Sequence, residues 1–437
     1  MSGACVCTME YIDGQTLNKW LDDIMLNGFD FNEKDPLIAC VGNNGGTSDY
    51  DIMIGFLEAV QIQVSVLKNN KGLSEDTLVY PIVFCMRHCI ELGIKINIRT
   101  LLDFKCLSVR IASNTVADVK NNLHIHDIEI LAGMLNDLSK IDSRYSNLMG
   151  DLTTRLAEYF FDKKGDMFRY AESTEEQGNL ENVDISHVAI LTLYMNFKDI
   201  MGILNKLYYK ASSLNEEYEL NEFTKTCSRQ DLIDISKKLP LFSQWNTAAF
   251  DEAKAQIKAE YEIGSKEFSQ IVDVIKNNRN FSINYGKEII FGDMSLEKWQ
   301  AYKMLVKDYS SRDRKDTLIL SEIDEDFISN VQRDAQADKM LAEILSNQDL
   351  VLLLSFYDIS YENEYPELLE PFYNHFIEEK YNRRYLINEL KKEEAYAHVL
   401  RGLTMCGQYT YLQYLGVIDD VSVEDYALSR RDTICHD

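Results

Sequence analysis

Apolar residues recur along most of this chain at spacings of three and four, the period of a helix with one buried face. Stretches with that pattern run near 53–68, 75–99, 128–140, 150–161, 184–211, 215–237, 248–278, 296–309 and 323–346, and more follow from 365 to 430. Several open on a capping residue with acids in the first turn, as in Ser74-Glu75-Asp76, Asp184 with Ser186, and Thr247 before Asp251-Glu252. Period-two alternation is rare. It predicts one short hairpin, Phe281–Ile283 with Glu288–Phe291, turned by Asn284-Tyr285-Gly286. A second extended piece is expected over 36–41, before the turn Gly42-Asn43-Asn44-Gly45-Gly46. The pattern therefore predicts a mostly α protein with at most a small β-hairpin. The polar run 211–218 and Pro240 are the breaks in the middle. We expect an N-terminal extension over 1–37, a helical domain over 38–212 and a second helical domain over 213–437.

The most informative stretch is 78–99. At about 100° per residue, Val79, Ile82, Val83, Met86, Ile90 and Ile94 form one apolar face, and Cys85, Cys89, Leu92 and Ile96 widen it. The polar residues share one wedge: Arg87, His88, Glu91 and Lys95. A helix this apolar should be central and buried. Its charges then need partners or a ligand, because a buried charge persists only when paired and hydrogen-bonded. The other reading is a solvated edge with Glu91 and Lys95 as an i,i+4 pair. Downstream, His126-Asp127 opens an amphipathic helix, where Asp127 suits the helix dipole and His126 the cap. Further on, Arg169 stands between Phe168 and Tyr170 after the turn Asp162-Lys163-Lys164-Gly165. A planar guanidinium flanked by aromatic rings is suited to an anion or a carboxylate.

Taken in order, Arg87-His88-x-x-Glu91-x-x-x-Lys95, His126-Asp127 and Phe168-Arg169-Tyr170 resemble the HEPN superfamily (higher eukaryotes and prokaryotes nucleotide-binding). Gly42–Gly46 and Gly55-Phe56-Leu57-Glu58-Ala59 also resemble HEPN-like proteins of bacteria. The resemblance covers residues 38–212. It implies a four- or five-helix bundle that commonly dimerises. Active members are metal-independent RNases of toxin–antitoxin and antiviral defence systems, and many others are catalytically silent. On this resemblance the catalytic candidates are Arg87, His88, Glu91, His126 and Arg169. Those for ligand binding are Arg87, Lys95, Asp127, Arg169 and Tyr170.

The active members carry Arg-x(4–6)-His on one helical face. There His moves protons to and from the ribose 2′-hydroxyl and the leaving oxygen, while Arg neutralises the phosphate. Of the seven histidines here, only His436 has an arginine at that distance, Arg430 or Arg431, and it lies outside the HEPN-like stretch. The expectation is a catalytically degenerate member that binds a protein partner from its own operon, and a nucleotide or RNA end. The alternative is an RNase whose site is assembled from Arg87, His88, His126 and Arg169.

Charge narrows the partners. Forty-five basic against 71 acidic residues give a net −26, a field that repels phosphate backbones and excludes extended DNA binding. A small basic cleft remains compatible with a nucleotide or an RNA end. Nine cysteines scattered from Cys5 to Cys435 do not read as a disulfide framework, so a reduced, cytoplasmic protein is expected. The first residues lack a basic and then apolar leader. No uninterrupted apolar run reaches the roughly 20 residues of a membrane span, and no membrane partner is expected. Cys85, His88 and Cys89, and separately Cys5 and Cys7, lack a second ligand pair, and His124 with His126 would suit a metal only on a strand. No metal and no cofactor are expected. Gly42–Gly46 is not followed by Gly-Lys-Ser/Thr and reads as a turn. The basic cluster Arg312–Lys315 is blunted by Asp313 and Asp316. The aromatics Tyr361, Tyr365, Phe372, Tyr373, Phe376, Tyr381 and Tyr385 read as core before partner surface.

Overall fold

In a computed structural model of the chain, the described residues are 37–42, 45–69, 72–170, 180, 183–310, 339, 343–362, 365–392 and 394–434. Every regular element among them is a helix. The main ones are α1 (Asp49–Asn69), α2 (Glu75–Leu102), α3 (Ile128–Ser139), α4 (Ile190–Glu219), α5 (Arg229–Lys238), α6 (Ala248–Glu260), α7 (Ser265–Asn277), α8 (Leu296–Ser310), α9 (Asn347–Glu362) and α10 (Ala395–Met405). The mostly α expectation holds. Cys5, Cys7, Asn43, Asn44, the cluster Arg312–Lys315, most of the helix expected over 323–346, and His436 lie outside the described residues.

The expected hairpin is not formed. Residues 279–282 make a helical turn and 283–285 a 3-10 turn. Asn278 nucleates them, its side-chain oxygen accepting from the backbone N–H groups of Asn280 and Phe281. Gly286, at φ +78°, ends the run in the left-handed conformation. Phe281 and Tyr285, four apart, are both fully buried, so the same letters that alternate also satisfy a helical face. Residues 37–41 are exposed and without regular structure. The long helix expected over 248–278 is two, separated where Glu262 takes φ +54° and Gly264 caps α7. Thr247 caps α6 as expected.

The chain forms two compact units, and their limits differ from the boundary expected near 212, which falls inside the continuous α4. The first comprises the described residues up to Ile96 with Gly165–Phe197. Its buried apolar residues include Met53, Val60 and Val64 of α1 and Ile82, Val83, Met86, Cys89, Ile90 and Ile94 of α2. Contact is direct: the Cys89 thiol lies 3.6 Å from the Met53 carbonyl oxygen. Both helices have the length and composition of a membrane span, although the sequence offered no uninterrupted run. Over α2's most apolar stretch 56% is buried within the protein, against 17% for α1.

The second unit comprises the described residues of 97–164 and from 198 onward. Asn97 ties two of its segments together, donating to the Leu204 carbonyl at 3.1 Å and accepting from Tyr145 Oη at 2.9 Å. Arg144 clamps Glu217 with two bonds of 2.9 and 2.7 Å and reaches Asp142 at 2.8 Å. One core packs α5, α6 and α7 through Leu232, Ile257, Phe268 and Ile271. A second packs α8, α9 and α10 through Trp299, Leu353, Phe356 and Leu403. Gly402 of α10 lies so close to α9 that a Cβ there would fall 1.9 Å from the Phe356 carbonyl oxygen. Of the aromatics over 361–385, Phe376 is core, while Tyr361 and Tyr385 are exposed.

Candidate functional site

The site starts from α2. Acids in its first turn and Arg99 in its last match the helix dipole, and Ile82, Met86, Ile90 and Ile94 are wholly buried. The polar wedge is buried as well. Arg87, Glu91 and Lys95 expose only 5%, 4% and 7% of their surface, so the solvated-edge reading fails although its ion pair is present. Glu91 stands between the two cations. One carboxylate oxygen accepts from Arg87 Nη1 at 3.2 Å and the other from Lys95 Nζ at 2.8 Å. Both contacts are i,i+4 on one helix, the spacing that brings side chains together on its surface.

A loop closes over the Arg87 end of this wedge. Gly165 holds φ +74°, and a Cβ there would lie 2.5 Å from Arg87 Nη1, so the loop backbone rests against the guanidinium. Phe168 is buried with its ring 6.1 Å from Tyr80. Arg169 lies over Phe84 at 5.3 Å and over Tyr170 at 5.2 Å, and its Nη2 donates to Tyr170 Oη at 3.2 Å. Phe84 also stacks on His88, with ring centres 5.9 Å apart, while Phe56 of α1 meets the same imidazole edge-on at 4.6 Å. The structure thus joins Arg87, Glu91 and Lys95 in one ladder. It places both Arg169 and His88 against one shared ring, Phe84. Arg169 and Tyr170 are exposed, whereas His88 is half-buried.

His126 and Asp127 belong to the second unit. Asp127 is the N-cap of α3, its Oδ1 accepting from the Glu129 and Ile130 backbone N–H groups at 2.9 and 3.3 Å. That accounts for its position without a ligand. Burial pushes the thiols of Cys85 and Cys89 up, the latter to about 12, so neither supplies a thiolate near neutral pH. Among the described residues no group of three or more His, Cys, Asp or Glu could hold a metal ion.

Sequence reasoning named Phe56 only within a motif and Gly165 only within a turn, and it passed over Phe84. The signals were present: Phe84 lies one turn before His88, and Gly165 follows two lysines in a turn. A second buried charge cluster gave no signal. In the second unit, Arg229 at the start of α5 donates from Nε to Glu222 at 3.2 Å and from Nη2 to Glu367 at 2.7 Å. Asn278 donates to both carboxylates, reaching Glu367 at 2.9 Å. The guanidinium also lies over Phe281 and Tyr365, at 5.5 and 5.3 Å. Burial, then repulsion from Glu367, pushes the Glu222 carboxyl up to about 8. For Glu367 burial raises and Arg229 with Asn278 lowers, and the net direction is down. Compared with family models, with curated proteins and with solved structures, the chain matches none.

Proposed function

We propose that this chain is a HEPN-like protein of a bacterial defence or toxin–antitoxin-like system. It works as a two-fold dimer by binding a protein partner, and a nucleotide or RNA end, without cutting RNA. The observation that supports this reading is the buried ladder Arg87–Glu91–Lys95 beneath Gly165. A general acid–base site needs its proton-transfer groups within hydrogen-bond reach of the ribose, and its cation within reach of the phosphate. Arg87 is spent on Glu91 and covered by backbone. The cation left exposed is Arg169, stacked on Phe84 and bonded to Tyr170, an arrangement that suits a phosphate resting beside a nucleobase.

The test uses ATP and a 5′-phosphorylated oligoribonucleotide as probes. The intact protein should bind at least one of them in calorimetry and leave the RNA uncut in the presence of a chelator. Arg169→Ala should weaken that binding about tenfold, equivalent to about 1.4 kcal/mol, with the melting temperature unchanged because the side chain is exposed. Metal-independent cleavage of the RNA would overturn the non-catalytic reading and favour the RNase alternative. Binding that Arg169→Ala leaves intact would remove the Phe84–Arg169–Tyr170 face from the site.

A further inference from the structure

α1 carries two apolar stripes. One, Met53, Val60 and Val64, is buried within its own unit. The other, Ile52, Gly55, Ala59, Ile62 and Val66, is offset by about 140° at 100° per residue. Ile52, Ile62 and Val66 are 41%, 54% and 41% exposed, and a Cβ on Gly55 would meet nothing within 4 Å. Their spacing is three, four, three, four, the heptad period of a helix that pairs with another helix rather than with a loop or a strand.

We infer that this stripe is the seam of a two-fold, antiparallel pairing of α1 with α1 of a second copy. The self-complementary order of sizes argues for a second copy. In an antiparallel alignment centred between residues 60 and 61, Ala59 faces the partner's Ile62 and Gly55 faces the partner's Val66. Every small residue then meets a large one, so the layers interdigitate. A parallel pair would set Gly55 on Gly55 and Ala59 on Ala59 and leave two voids. Antiparallel helices also set their dipoles head to tail. A bilayer is the poorer occupant of the same face, since a spanning helix would place Glu58, Gln61 and Gln63 in hydrocarbon. The inference rests on the two-fold self-association proposed above and supplies its surface.

Sedimentation of the full chain under reducing conditions, from micromolar to hundreds of micromolar, tests it. The intact protein should dimerise, and Ile62→Glu should be monomeric with an unchanged helix content, because the side chain is exposed within one copy. Ile62→Ala should weaken the dimer about tenfold, equivalent to about 1.4 kcal/mol. Adding Ala59→Ile to it should restore the dimer, since the two residues trade sizes across the axis. A double variant that stays as weak as Ile62→Ala overturns the antiparallel seam. A dimer that survives Ile62→Glu overturns the seam while leaving self-association standing. A wild-type monomer throughout overturns both. Sedimentation of the protein with phosphatidylglycerol vesicles, lost in Ile62→Glu, would assign the stripe to a membrane and also overturn the proposal.

Discussion

Each unit buries a charge cluster, and the two are built in opposite ways. In the first, one carboxylate, Glu91, serves two cations, Arg87 and Lys95, each one helical turn away. In the second, one guanidinium, Arg229, serves two carboxylates, Glu222 and Glu367, the second of them 138 positions along the chain. The first needs only a helix to exist. Once α2 forms, the i,i+4 geometry assembles it before any tertiary contact is made. The second needs the loop before α5, the cap at Asn278 and the turn at Pro366–Leu368 to arrive together. Two carboxylates beside one cation push a proton onto one of the pair.

The largest effect expected from breaking this comparison is on the local cluster. Glu91→Gln keeps the shape of the side chain and removes the charge between Arg87 and Lys95. Removing one partner of a buried pair costs about 3–5 kcal/mol, because the remaining charge stays desolvated. Chemical denaturation should report a loss of that size with an unchanged m-value. A loss under about 1 kcal/mol, the range of exposed pairs, would mean that water reaches the wedge in solution.

How each cluster was read from the sequence follows from the same contrast. The α2 wedge was legible because its information is local. Periodicity set the helix at 75–99 against the observed Glu75–Leu102, and the wedge residues fell on one side. Burial of the wedge was one of two readings, beside a solvated edge, and nothing local decided between them, because the cover over Arg87 is backbone at Gly165, distant in sequence and without a side chain to signal it. Asn97 was silent for a similar reason: its partners, Tyr145 and the Leu204 carbonyl, are set by tertiary packing. The failed hairpin is the reverse case. Phe281-Ser282-Ile283-Asn284-Tyr285 alternates locally, yet the cap at Asn278 and the core around α5, α6 and α7 fix it as helical turns. Arg229, Glu222 and Glu367 stand in no local pattern, since nothing local marks a carboxylate that is to share a cation.

A smaller effect sharpens how the local cluster is enclosed. Gly165→Ala adds one methyl group where φ is +74° and the nearest atom is Arg87 Nη1 at 2.5 Å. Both the backbone and the contact are then strained. The expected cost is about 1–2 kcal/mol, the upper part of what a positive-φ glycine position loses on gaining a Cβ, with the clash added. Thermal melting should show the shift, and amide exchange should show the loop over 165–170 opening more often. A neutral result would place the loop away from Arg87 in solution.

The smallest effect on stability at pH 5 is expected in the second cluster, and it grows as the pH rises. The Glu222 carboxyl is pushed from its ordinary 4.5 up to about 8 by burial and by Glu367. At pH 7 it is therefore mostly protonated in the folded chain and ionised in the unfolded one. A folded state that holds the extra proton loses stability as pH rises between those two values, from about 4.5 to about 8, and keeps the contribution in full below them. Glu222→Gln replaces a neutral acid with a neutral amide that still offers an oxygen to Arg229 and Asn278. At pH 5 the variant should match the wild type within about 1 kcal/mol, the scale of one hydrogen bond. Between pH 5 and about 8 the wild type should lose ground steadily to the variant, and level off above that, because only the wild type has the proton to release. Glu367 works against this slope below its ordinary 4.5, since its carboxyl is held down and its contribution is lost as pH falls further. Denaturation curves of both proteins across that range decide the matter. A constant difference from pH 5 to pH 9 would show that Glu222 is already ionised in the folded protein, with Arg229 neutralising both carboxylates at once.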